Sequence, residues 1–226
     1  MKIKFLFFLI ILALLNSSAF GVEKVKSDFN AKNQLGIRLG AWSNDGGTPP
    51  EVILSDQTTI ETKINSGNFY FEGYYGHRFS PMLVGEIALG IVNRGTVIIN
   101  DNITLQDDIG NLMVYPFLAQ LKLYPLSKSK ATLKPYLVAG GGMYYARQSV
   151  QFSTSYYEPF RNEKSEIDFN YVVGGGFDYA FNENIVFEVN TKYFPINFSN
   201  SLLRISDYSA VTITIGIKYI FEKHKE

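Results

Sequence analysis

After residue 21, apolar and polar side chains alternate at every second position over most of this chain. Successive side chains of a strand point to opposite faces, so the pattern marks β-strands with one apolar and one polar face. Clusters of Asn, Asp, Gly, Pro and Ser interrupt the alternation where turns belong. No stretch beyond Gly21 approaches the 18 apolar residues of a transmembrane helix.

Eight strands follow: Leu35 to Ala41, Asn68 to Phe79, Leu83 to Ile91, Met113 to Leu123, Pro135 to Arg147, Asp168 to Phe181, Ile185 to Tyr193 and Val211 to Phe221. Seven have a clear apolar face, such as Leu35, Ile37 and Leu39 on the first strand and Ile213, Ile215 and Ile217 on the last. The fifth has none, because Tyr136, Val138 and Tyr144 compete with Leu137, Ala139, Met143 and Tyr145. Those seven apolar faces carry no charge. The opposite faces carry Arg38, Arg78, Lys122, Lys192 and Lys218 against Glu72, Glu86, Asp168, Asp178 and Glu188.

Two architectures give this pattern. In a soluble ligand-binding barrel the apolar face points inward, and in a membrane barrel it points outward into lipid. Three features favour lipid. Aromatics gather at both ends of the apolar faces: Phe79, Tyr179, Phe181, Tyr219 and Phe221 at one end, and Phe69, Phe71, Tyr115, Phe169, Tyr171 and Tyr193 at the other. Long connections (Asn44 to Gly67, Thr96 to Gly110, Ser149 to Glu166, Ile196 to Asp207) alternate with the tight turns Ser80 to Met82 and Asn182 to Asn184. Glycines crowd the polar face, as a narrow eight-strand lumen requires. The fold expected is all-β, an eight-stranded antiparallel up-and-down transmembrane barrel in the outer membrane.

The first 21 residues read as a cleaved signal peptide. Lys2 and Lys4 precede the apolar run Phe5 to Leu15, and Ala19-Phe20-Gly21 supplies small residues at a cleavage spacing. Residues 22–226 then form one barrel domain. Removing two lysines and no acids takes the net charge from 0 to −2.

Composition closes off most other roles. Lys and Arg number 21 against 21 Asp and Glu, so the basic footprint of a nucleic-acid binder is missing. Zero cysteines exclude disulfides, thiolate metal sites and cysteine nucleophiles. Two histidines, His77 beside the Phe79-Ser80 turn and His224 in the tail, leave little for hydrolytic or metal chemistry. No catalytic residue, metal or cofactor is expected. The opposed luminal charges are read as a neutralised plug, because an unpaired charge in a low-dielectric interior is costly. The long loops hold about eleven acids against four bases, and Tyr156, Tyr157 and Phe160 form their most contact-like patch.

Thr214-x-Gly216-x-x-Tyr219-x-Phe221 resembles the C-terminal signal of bacterial outer-membrane barrels. The resemblance implies the barrel assembly machinery as a partner. Lys134 to Gly142, Tyr171 to Tyr179 and Asn182 to Val186 are similar to the second half of OmpW-type sequences, within the small eight-stranded barrels grouped with OmpX and the opacity proteins. That resemblance implies a monomer in outer-membrane lipid that supports the membrane or passes small, mainly hydrophobic solutes. The alternative is a surface protein that binds an extracellular ligand through its loops. A lipid A-modifying enzyme of this architecture would place a histidine at the outer rim, where neither histidine here is expected.

Overall fold

The computed structural model describes residues 31–44, 52–53, 59–64, 67–100, 107–127, 131–154, 157–202 and 205–223. The leader and His224 lie outside them. Twelve strands follow in chain order: β1 (Ala31–Asn44), β2 (Val52–Ile53), β3 (Thr59–Ile64), β4 (Gly67–Ser80), β5 (Leu83–Asn100), β6 (Asp107–Leu123), β7 (Leu133–Thr154), β8 (Tyr157–Ala180), β9 (Ile185–Phe194), β10 (Asn197–Leu202), β11 (Ile205–Asp207) and β12 (Ala210–Lys223).

Eight of them close on themselves in the order β1-β4-β5-β6-β7-β8-β9-β12, each antiparallel to its neighbours, and β12 pairs back to β1 from Ala31–Lys223 to Asn44–Ala210. Closure removes the free edges, so backbone donors and acceptors at membrane depth are satisfied in the ladder. One ladder carries a flaw. Pro116 sits in β6 without an N–H, and the β5–β6 pairing omits Gly90–Pro116 and Ile91–Tyr115.

The alternation sets which face turns outward. Leu35, Ile87, Leu89, Leu137, Ile213 and Ile215 are exposed in a belt around the wall, while the polar faces turn inward and are buried. Phe69 (68% exposed) and Phe169 (75%) mark one border of the belt, and Phe79 (64%) and Phe181 (58%) the other. β7, unreadable from sequence, points Tyr136, Val138, Tyr144 and Ala146 into the lumen and Leu137 toward the outside.

Much of the expected loop sequence is strand. β7 and β8 pair as far as Thr154–Tyr157, so Ser149 to Glu166 is a hairpin and not a long loop. β3 pairs with the upper end of β5 from Ile64–Gly95 to Thr59–Asn100. The outward-facing apolar residues of β7 run as far as the half-buried Tyr145, with Arg147 exposed beyond them. At about 3.3 Å per residue and a tilt near 40°, the remaining nine or so residues raise this side of the barrel about 20 Å above the belt. β9, by contrast, ends at Phe194, next to Pro195. The rim is therefore tall along β5 to β8 and low along β9, β12, β1 and β4.

Candidate functional site

The lumen holds two ionic clusters at its middle and inner levels. Strand pairing sets Arg38 of β1 opposite Glu72 of β4, and the closed wall brings Glu86, Lys122, Glu188 and Lys192 around them. Arg38 grips Glu86 with both Nη atoms (2.8 and 2.7 Å), donates from Nε to Glu188 (2.7 Å), and bonds Glu72 through Nη1. Lys122 Nζ bridges Glu86 (2.9 Å) and Glu188 (3.0 Å). Lys192 Nζ lies 2.8 and 2.9 Å from the two oxygens of Glu72. Three cations thus meet three carboxylates, all buried. Charges removed from water persist in such a place only when opposed and hydrogen-bonded.

Hydroxyl and amide groups complete this shell. Tyr70 Oη donates to Glu72 (2.7 Å), Tyr74 Oη donates to Glu188, and Gln120 Nε2 donates to Glu86. The Arg38 guanidinium lies 3.6 Å from the Tyr74 ring centre. These neutral partners were missed in the sequence. Tyrosines on a strand face otherwise made of Asn, Glu, Gly and Arg were the available signal.

Of the ten charged residues read as one network, the structure groups six here and two in a separate pair. Lys218 lies 2.5 Å from Asp178, which also accepts from Tyr124 Oη (2.8 Å). The remaining two lie outside the six-residue cluster. Arg78 sits near the Ser80 turn, donates to the Pro81 carbonyl (2.8 Å) and lies over the Tyr124 ring. Asp168 lies beyond the last β8–β9 pair, Val173–Tyr193, where β9 no longer flanks β8; it stands opposite Tyr144 of β7 and accepts from Asn197 N (3.1 Å).

Glycines make room for this packing. A Cβ on Gly36 would meet the Tyr74 ring at 2.5 Å, and one on Gly90 would meet Tyr70 Oη at 2.5 Å. Gly36→Val should therefore displace Tyr74 from Glu188 and cost about 1 to 3 kcal/mol as overpacking. Urea unfolding in detergent checks this, and a midpoint equal to wild type would show that the lumen has slack.

Above the ions the lumen turns apolar. Trp42 stacks on Phe194 with ring centres 4.9 Å apart and touches Tyr70 at 5.3 Å, and Tyr144 meets Phe194 edge-on at 6.0 Å. Over them the β10–β11 hairpin folds inward, burying Phe198, Leu202, Ile205 and Tyr208. Its Tyr208 N donates to Ile196 O (2.8 Å) and its Tyr208 Oη to Leu202 O (3.0 Å). The tall rim outside is polar. Arg147 (3.2 Å) and Arg161 (2.7 Å) flank Glu163, and the Arg161 hydrogen bond leads in holding that carboxyl below its usual pKa.

Thr214 and Gly216 of the C-terminal motif face inward, while Tyr219 points outward and its ring stacks 6.3 Å from that of Phe221. His77 hydrogen-bonds Asn33 Oδ1 (2.8 Å) and borders an outer-wall depression of about 420 Å³ with Tyr75 and Phe79. Tyr157 and Phe160 fall in β8, where their side chains are not described, and Tyr156 lies outside the described residues. Among the described residues no group of three His, Asp or Glu is placed to hold a metal ion.

No protein-family model and no curated protein sequence matches the chain. Solved structures do. The outer membrane protein OprG from Pseudomonas aeruginosa superposes with a TM-score of 0.54 at 15% identity, covering 87% of this chain and 100% of that one. Neisserial surface protein A superposes with a TM-score of 0.52 at 14% identity, covering 84% and 96%. The fold is that of outer-membrane β-barrels, and the apolar belt is the surface such a barrel turns to lipid.

Proposed function

We propose that this protein is a non-conducting, non-enzymatic outer-membrane barrel that anchors and displays a surface, with its working face on the wall raised above the lipid band. The observation that carries this reading is the filled lumen. A neutralised ionic layer, an aromatic layer and an inward-folded hairpin lie one above another, which opposes passage of water-soluble solutes. The polar, tall side formed by β5 to β8 then offers the extended surface for a partner outside the cell.

In planar bilayers the full-length barrel should show no steady conductance above the bare membrane, and shortening the β7–β8 hairpin by removing 149–164 should leave the barrel folded. The shortened protein should lose whatever adhesion to cells or matrix the intact protein confers on a non-adherent host. Stable, ion-selective current steps from the intact barrel would overturn the reading in favour of permeation. Undiminished adhesion after shortening would move the working face elsewhere.

A further inference from the structure

At the outer mouth, one buried cation forms no ion pair among the described residues. Arg94 of β5 is fully buried, above the belt and under the β10–β11 hairpin. Its Nη1 donates to the Asp207 carbonyl (3.1 Å), and its guanidinium carbon lies 4.1 Å from the centre of the Tyr208 ring. Its Nε and Nη2 are buried and bond nothing among the described residues. Asp207 spends a carboxylate oxygen on Ser209 N (2.9 Å), and Glu72 is held by Lys192 and Arg38. Burial pulls the Arg94 pKa down more than Tyr208 and Asp207 raise it.

The identity of the two idle nitrogens is informative. Nε and Nη2 share one edge of the planar guanidinium, and that edge is the fork that takes a carboxylate with two parallel hydrogen bonds. A second donor waits nearby. Trp42 is paired to Asn68 across β1 and β4, and Asn68 Nδ2 bonds the Arg94 carbonyl (3.3 Å). Trp42 Nε1 is also buried and unpartnered. Around these donors stand Tyr70, Phe194, Phe198 and Tyr208, which belong to one apolar cluster. A buried polar group without a partner costs free energy, and a bound acceptor removes that cost.

We propose that Arg94 is the anchor of a ligand site at the outer mouth, which takes a small carboxylic acid with an apolar body. The carboxylate seats on the Nε–Nη2 edge of Arg94, and the apolar part lies among Trp42, Phe194 and the underside of the hairpin. Entry lifts the Tyr208 side of that hairpin. The site needs no conduction through the barrel, because the ionic layer below closes the way inward.

Trp42 is the sole tryptophan and reports on the site directly. Full-length protein in lipid nanodiscs is titrated with hexanoate, hexanol and inorganic phosphate while its emission is followed. Hexanoate should give a saturable change that hexanol and phosphate do not. Its affinity should fall at least tenfold in Arg94→Lys, which keeps the charge but loses the fork, and the response should vanish in Arg94→Met. The Arg94→Met midpoint in urea should equal or exceed wild type, because that change removes an uncompensated buried charge. The proposal is overturned by the absence of a saturable hexanoate response, by an equal response to hexanol, by a response to phosphate alone, or by unchanged binding in Arg94→Met. A lowered Arg94→Met midpoint also overturns it, since Arg94 would then be a latch for the hairpin or the partner of a carboxylate of this chain.

Discussion

Arg38→Met is expected to cost the barrel about 3 to 5 kcal/mol, the penalty for removing one partner of a buried ion pair. The magnitude follows from what would be left behind. Glu72, Glu86 and Glu188 all contact Arg38 and would retain only Lys122 and Lys192 between them. Arg38→Lys should fall between, keeping the charge but losing the two-nitrogen grip on Glu86. Arg38→Met combined with Glu72→Gln should recover part of the loss, because it restores two cations against two carboxylates, and contacting residues couple by about 0.5 to 3 kcal/mol. Urea midpoints followed by gel mobility of unheated samples measure all three. A single variant with the wild-type midpoint would mean that the cluster is hydrated, where an ion pair is worth little.

A charge on the outside should be nearly as damaging as a charge removed from the inside. Ile215 lies midway along β12, beside Val189 of β9 and Leu39 of β1, and is 67% exposed. At the surface of a water-soluble protein such a residue tolerates substitution within about 0.5 kcal/mol. In the middle of a lipid-facing band, Ile215→Arg should cost about 2 to 4 kcal/mol, while Ile215→Val should stay near neutral. Folding titrations into short-chain lipid vesicles distinguish the two environments. Equal folding of both variants would mean that the belt does not face lipid.

Alternation revealed the wall because lipid and lumen impose opposite demands on neighbouring residues. Where those demands coincide, the signal fades. In β7, Tyr136 packs inward with Tyr124 and Val84 and Val138 is also buried, so both faces of the strand are apolar, and Gly140 to Gly142 present no side chain to judge by. Past Arg147 the opposite limit applies. Both faces of the β7–β8 hairpin stand above the lipid, no two-residue hydrophobic period survives, and strand reads as loop. Trp42 and Phe194 went unread for a related reason, since the outer half of the lumen is aromatic although the middle is charged. Arg78 and Asp168 shared a face with the ionic cluster, but residues on one face can lie at different heights. Only the strand register separates them.

The Arg38 contacts also constrain the order of assembly. Its three carboxylate partners come from β4, β5 and β9, and Glu188 lies 150 residues away along the chain. β1 already pairs with β4, so an open sheet holds Arg38 beside Glu72 but keeps it from Glu188 until β12 joins β1 and brings β9 within reach. The Arg38–Glu188 ion pair and wall closure are therefore a single event. An open sheet leaves Glu188 short of that partner, so the finished barrel is favoured over its open precursors by electrostatics as well as by backbone pairing.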